Sequence, residues 1–233
     1  SFGAGLHMIA LPASAISKDM ADIFGAAEPS DLRLARWNPT LGDGGQYVVY
    51  SDAPASSFLR QELGRGFWYR TSVSKTISLA GMPVAEGNIR VPLRPGWNQL
   101  GNPYISDMPM AYADADSGAK VHILGRTYSL REAADRGYVR DYVWRYDPLT
   151  NSYRLISSDP TATWAEQQVP RNAGFFVLAF QDAELELPNP AEVSSASVAV
   201  PTTVVDDNHW AVRLVARTDN AADLDNFIGV HPQ

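Results

Sequence analysis

Gly96-Trp97-Asn98-Gln99-Leu100-Gly101-Asn102-Pro103 is the stretch on which the fold turns, because the chain carries a second version of it, Gly5-Leu6-His7-Met8-Ile9-Ala10-Leu11-Pro12. Each runs from a glycine through a large and a polar residue into alternating apolar positions that close on proline. Alternation with period two marks a strand with one buried face, and proline ends it by removing a ladder donor.

Two further matches follow in the same order. Leu34-Ala35-Arg36-Trp37-Asn38-Pro39 resembles Val143-Trp144-Arg145-Tyr146-Asp147-Pro148, with a tyrosine beyond each at Tyr47 and Tyr153. An aromatic strand running into Asn/Asp-Pro is a hairpin signal, since the Asx side chain caps the turn and proline fixes the next φ. Gly66-Phe67-Trp68-Tyr69 then resembles Gly174-Phe175-Phe176-Val177, each followed by alternation, Thr76-Ile77-Ser78-Leu79 and Glu184-Leu185-Glu186-Leu187. Three motifs repeated in order indicate an internal duplication. The fold expected is all-β: two pseudo-repeated β-sandwich or barrel-like units, residues 1–93 and 94–188, with short helical insertions. A linker or strand covers 189–208, and 209–233 is a C-terminal strand segment, the start of a truncated β-sandwich or a strand exchanged between molecules.

Helix is scarce. Lys18 to Phe24 accommodates one or two turns. Ser129 to Arg136 is the stronger candidate, with Ser129 as cap, Glu132 at the capping-box position and Gly137 as stop. His209 to Ala216 alternates like a strand, whereas 219–233 is polar and shows no second strand pattern.

The Gly96–Pro103 stretch, with Trp37-Asn38-Pro39 and Gly66-Phe67-Trp68 in the same order, resembles repeated β-modules of very large secreted bacterial surface proteins. The segment from His209 to Val230 resembles the opening of a β-sandwich that follows such modules. The resemblance implies an extracellular or cell-surface location and a role in attachment, glycan binding or extracellular assembly. It brings no catalytic residues.

Composition narrows the chemistry. Of 233 residues 45% are hydrophobic and 19% charged, enough apolar material for a real core, and the net charge is −7. That sign, with no basic run, argues against nucleic acid. No apolar run approaches the roughly 18 residues of a membrane span. There is no cysteine, which excludes disulfides and thiolate chemistry. The start at Ser1, without initiator Met or signal peptide, reads as a processed or excised piece.

Catalytic signatures are weak. The four histidines, His7, His122, His209 and His231, lack a partner at metal-ligand spacing, and no Gly-x-Ser-x-Gly elbow exists. Gly42-Asp43-Gly44-Gly45 joins two strands rather than a strand and a helix, so it is no phosphate loop. Glu184 and Glu186 alternate with leucine and read as the solvent face of a strand. The expectation is no enzyme and no cofactor, apart from a partial calcium loop at Asp114 and Asp116 and a second acidic patch at Asp219, Asp223 and Asp225.

The aromatics, six Trp, ten Tyr and eight Phe, carry the functional reading. Sugars present flat C–H faces that stack on rings, while Asn, Asp and Arg bind hydroxyls. Trp37 with Asn38, and Trp144 and Tyr146 with Asp147, supply that pairing, and Trp164 stands in a polar loop as the most exposed tryptophan. Alternation also places Tyr142, Trp144 and Tyr146 on one strand face, which serves either as core or as ligand platform. The expectation is a non-catalytic module that binds a glycan at a cell or biomass surface. The alternatives are a structural subunit pairing with neighbouring subunits by strand exchange, and an accessory domain of a secreted glycoside hydrolase.

Overall fold

The computed structural model describes residues 1–110 and 118–191, together with the strands Trp210–Thr218 and Ala221–Val230. The chain is mostly antiparallel strand with two short helices. It divides into two compact units, Ser1–Pro201 and Thr202–Gln233. The spans 1–93 and 94–188 therefore lie within one unit.

The first stretch contains β1 (Gly5–Ala10), β2 (Ala13–Ala15), α1 (Met20–Phe24), β3 (Leu34–Asn38), β4 (Gln46–Val49), β5 (Gly66–Thr71) and β6 (Gly81–Pro83). The second contains β7 (Ile89–Leu93), β8 (Gly96–Gly101), β9 (Met108–Pro109), β10 (Lys120–Ile123), β11 (Arg126–Ser129), α2 (Leu130–Asp135), β12 (Tyr142–Asp147), β13 (Ser152–Ser157), β14 (Gln168–Val169), β15 (Gly174–Ala179) and β16 (Ala183–Leu187).

Two four-stranded sheets have the same plan. One runs β1-β5-β3-β4 and the other β8-β15-β12-β13. Their registers agree residue for residue. Ile9 faces Phe67 as Leu100 faces Phe175, and Ala35 faces Trp68 as Trp144 faces Phe176. Trp37 faces Tyr47 as Tyr146 faces Tyr153. Ahead of each first strand, the bridge Phe2–Lys75 holds the sequence position that the β7–β16 pair Leu93–Ala183 holds ahead of β8 and after β15. A one-residue slip would turn every side chain to the opposite face, so this agreement fixes the same inward and outward sets in both.

The sheets also meet reciprocally. The Ala10 amide donates to the Asn172 carbonyl at 2.9 Å, and Gly101, its counterpart, donates to Gly64 at 2.9 Å. Gly64 and Asn172 are themselves counterparts, with φ of 78° and 61°. Bridges Ile9–Ala173 and Leu100–Arg65 complete the exchange. Contact in which i meets j and the counterpart of i meets the counterpart of j is the signature of two-fold packing.

Three apolar clusters follow from the strand faces. Ile9, Leu34, Phe67 and Tyr69 pack with Met20 and Phe24 of α1. Asp19 caps that helix through the Ala21 amide at 2.8 Å, and Gly25 closes it in the left-handed region. Leu100, Val143, Ile156, Phe175 and Val177 pack with Val91, Val121 and Leu185 of a further sheet, β11-β10-β16-β7, and with Leu130 and Ala133 of α2. Phe67 and Phe175 are fully buried, each worth about 2–3 kcal/mol of apolar burial. Between the two matched sheets lies the third cluster, built on Met8, Trp144 and Phe176 with Trp37, Trp68, Trp97, Tyr146 and Leu155 against it.

Both helices form where the sequence places them. Ser129 and Glu132 make the reciprocal capping box on α2. Other expectations change. The four-stranded sheets are open, with β1, β4, β8 and β13 at their edges, so the described residues form no closed barrel. Thr76 to Leu79 is not a strand: it joins no backbone ladder, and Ile77 and Leu79 pack on the core instead. Strand β7, on the first unit's side of the boundary drawn at residue 93, pairs with β16 of the second. Asn189 belongs to the fold rather than to a linker, since it is buried and its amide donates to Asn88 Oδ1 at 2.9 Å. Residues 192–208 lie outside the described residues.

In the C-terminal unit, β17 (Trp210–Thr218) pairs with β18 (Ala221–Val230), from Trp210↔Val230 to Thr218↔Ala221. The second strand, absent from the sequence reading, forms because a partner only two residues away supplies a backbone ladder that needs no alternation.

Candidate aromatic binding site

The hairpin residues expected to orient a ligand serve their own turns. Asn38 Oδ1 accepts from the Thr40 amide at 3.0 Å and the Thr40 hydroxyl at 2.9 Å. Asp147 accepts from the Leu149 amide at 3.1 Å, the Thr150 hydroxyl at 2.9 Å and Arg154 Nε at 3.3 Å. The Thr150 and Leu149 donors hold the Asp147 carboxyl below its usual pKa. These side chains build their own hairpins.

Trp144, at 8% exposure, lies within the aromatic layer. Trp37 is half-buried. Gly45 of its own hairpin lies so close that a Cβ there would stand 2.3 Å from the indole, so that position excludes any side chain. The Trp37 amide donates to Gln99 Oε1 at 2.7 Å, tying the two sheets together. Trp37 Nε1 and Gln99 Nε2 have no hydrogen-bond partner among the described residues.

What remains open is the outer part of the layer. Tyr47 and Tyr153 are 43% and 44% exposed. Trp68, half-buried between them, donates from Nε1 to the Tyr47 hydroxyl at 3.1 Å and meets the Tyr153 ring edge-on at 6.5 Å between centroids. Tyr146 closes the group, 5.0 Å from Trp68 and 5.9 Å from Tyr153, with its hydroxyl donating to Asn151 Oδ1. Trp37 stands edge-on to Tyr47 at 4.9 Å. Edge-to-face pairs of this kind add to area burial and fix ring orientation. Burial, with Tyr47 and Tyr146 nearby, pushes the Tyr153 hydroxyl up to about 12, and burial raises Tyr47 too. Both phenols stay protonated and able to donate at neutral pH.

Trp164 is 61% exposed. Its loop is held firmly: Arg145 makes a two-pronged pair with Glu166, at 2.5 Å to Oε2 and 2.6 Å to Oε1, and Ala162 is buried. Tyr47, Tyr153 and Trp68 were not singled out as ligand residues by sequence. The signal available was the tyrosine matched across the two hairpins.

A second polar constellation lies on β7, β10 and β16. Glu186 accepts from Asn88 Nδ2 at 2.9 Å and Arg90 Nε at 2.9 Å, and its Oε2 lies 2.7 Å from His122 Nε2. The other ring nitrogen of His122 lies 2.9 Å from the Thr127 hydroxyl. Burial pushes the Glu186 pKa up, but the donors from Asn88, His122 and Arg90 outweigh it and leave the carboxyl below its usual range. Three neighbours from or beside adjoining strands converge on this carboxylate, so the group stitches β7, β10 and β16 together.

His7 Nε2 lies 2.8 Å from the Gly3 carbonyl. Asp114, Asp116, Asp219, His209 and His231 lie outside the described residues, and the side chains of Asp223 and Asp225 are not described. Among the described residues no three His, Asp or Glu side chains gather as a metal site, and no helix is long and apolar enough to cross a membrane. No protein-family model, curated protein or solved structure matches the chain.

Proposed function

We propose that the two matched sheets are copies of one duplicated unit, and that the chain is a non-catalytic extracellular module that binds carbohydrate at a cell or biomass surface. The observation that carries this reading is the open aromatic group Tyr47–Trp68–Tyr153. Its rings come from both sheets and are oriented by each other, with two of them over two-fifths exposed. Aromatic residues are preferentially consumed by cores, so a contiguous group left at the surface marks an interaction site. The phenol hydroxyls donate to sugar oxygens while the ring faces take the C–H surface. Trp164, on its braced loop, is a second stacking position.

Affinity electrophoresis against a polysaccharide panel tests this reading. Retardation by at least one glycan is expected, weakened in a Tyr47→Ala/Tyr153→Ala chain and further by Trp164→Ala, with unchanged melting temperature. Equal mobility across a broad panel rejects it.

One observation favours a second reading, a subunit of an extracellular assembly. Among the described residues β17 and β18 pair only with each other. An isolated two-stranded hairpin is marginally stable, and unpaired edges recruit strands. Polymers that form with concentration and vanish without residues 202–233 would support assembly; a strictly monomeric full chain would remove it.

A further inference from the structure

The two sheets differ most at one place on matched register positions. Leu6, Ala35, Val49, Trp68 and Arg70 of the first sheet stand where the second has Trp97, Trp144, Leu155, Phe176 and Leu178. The second set fills its own surface: Trp97 meets Phe176 at 6.4 Å and Trp144 meets Tyr142 at 5.9 Å. The first set leaves a groove of about 250 Å³ between Leu6, Ala35, Val49 and Trp68, with Arg33 and Arg70 at the rim. Drug-sized pockets begin at about 300 Å³, so this one suits a single ring.

Its charge identifies the occupant. Arg33 and Arg70 are both exposed. Arg90, Arg94, Arg131 and Arg154 pair with acids, whereas Arg33 and Arg70 form no ion pair among the described residues and both line the groove. Two unpaired guanidinium groups beside an indole, on a chain of net charge −7, make a local cationic rim rather than a general field. A guanidinium matches a carboxylate with two parallel N–H donors.

We propose that this groove binds the uronate unit of an acidic polysaccharide, its ring against Trp68 and Ala35 and its carboxylate at Arg70 and Arg33. The inference rests on the glycan-binding reading and names its ligand class. It also assigns the two sheets different tasks, the first to bind and the second, filled with tryptophan, to support.

Titration calorimetry on the full chain tests it, using oligomers of galacturonate, glucuronate and mannuronate and the same oligomers after carboxyl reduction. Binding is expected for at least one acidic oligomer, weakened about tenfold or more by reduction or by Arg33→Gln/Arg70→Gln, and weakened by added salt. Ala35→Trp, which copies the residue of the second sheet, should abolish it. The arginine variants are at exposed positions and keep the test valid if Ala35→Trp does not fold. Equal binding of acidic and reduced oligomers, or binding of neutral glycans alone, overturns the uronate assignment and leaves glycan binding standing. No binding to any oligomer or to the polysaccharide panel overturns both.

Discussion

Tyr47 and Tyr153 hold the same register position in the two sheets, and both meet Trp68. Tyr47 lies across from Trp37 and Tyr153 across from Tyr146, and the indole bonds one tyrosine and contacts the ring of the other. Matched positions brought together by reciprocal packing give an aromatic surface to which each half contributes.

That packing requires bare backbone where the sheets touch. A Cβ on Gly66 would lie 2.0 Å from the Leu100 carbonyl oxygen, a backbone atom that cannot yield. On Gly174, the counterpart, it would lie 2.8 Å from Met8 Cγ and 3.0 Å from the Ile9 carbonyl oxygen. Gly66→Ala is expected to destabilise by roughly 3 kcal/mol or more and Gly174→Ala by less, because the Met8 side chain can move. Urea denaturation of the two variants checks the order; equal and negligible losses would refute the packing described.

Gln99 presents a balanced case. Its Oε1 accepts from Trp37, while its Nε2 is buried without a partner, and its register counterpart is Met8. Gln99→Met removes one good bond and one unsatisfied donor together, leaving the Trp37 amide unpaired. Stability is expected to change by no more than about 1 kcal/mol. A loss several times larger would mean that the amide contributes more than this geometry implies.

Glu186 gives the pH dependence its sign. Its folded pKa lies below the ordinary carboxylate value, so the unfolded chain takes up the proton first as pH falls. Its stabilisation is complete above about pH 4.3 and is lost as pH drops through the folded pKa. Glu186→Gln is expected to cost about 1–3 kcal/mol at neutral pH and to flatten the acid limb of the stability curve. Melting temperatures from neutral to acid pH, for both proteins, measure this.

Residues 202–233 form a compact unit of their own. Removing residues 202–233 is expected to leave the melting transition of the remaining chain within about 2 °C of the full chain, since that unit is compact on its own. Calorimetry decides it, and a large drop would show that the hairpin stabilises the rest.

The sequence by itself determined the mostly β character and many of the strands, though Thr76 to Leu79 is not one and Ala221–Val230 was not legible as one. Ile9 with Leu100, Phe67 with Phe175 and Trp37 with Tyr146 were legible because strand periodicity and turn chemistry are local, and two local patterns can be compared without knowing the fold. The capping box at Ser129 and Glu132 was legible for the same reason. Which aromatics remain at the surface was decided only by the tertiary structure. Trp144 and Trp68 alternate identically along their strands, yet one is sealed between sheets and the other touches two exposed tyrosines. Exposure depends on what the opposite sheet places above a residue, and the sheets meet through positions over a hundred residues apart in some cases, as with Ala10 and Asn172. The groove is the clearest instance. Leu6, Ala35 and Val49 are unremarkable strand residues, and they become a cavity only where their register counterparts show how much side chain the same frame can hold.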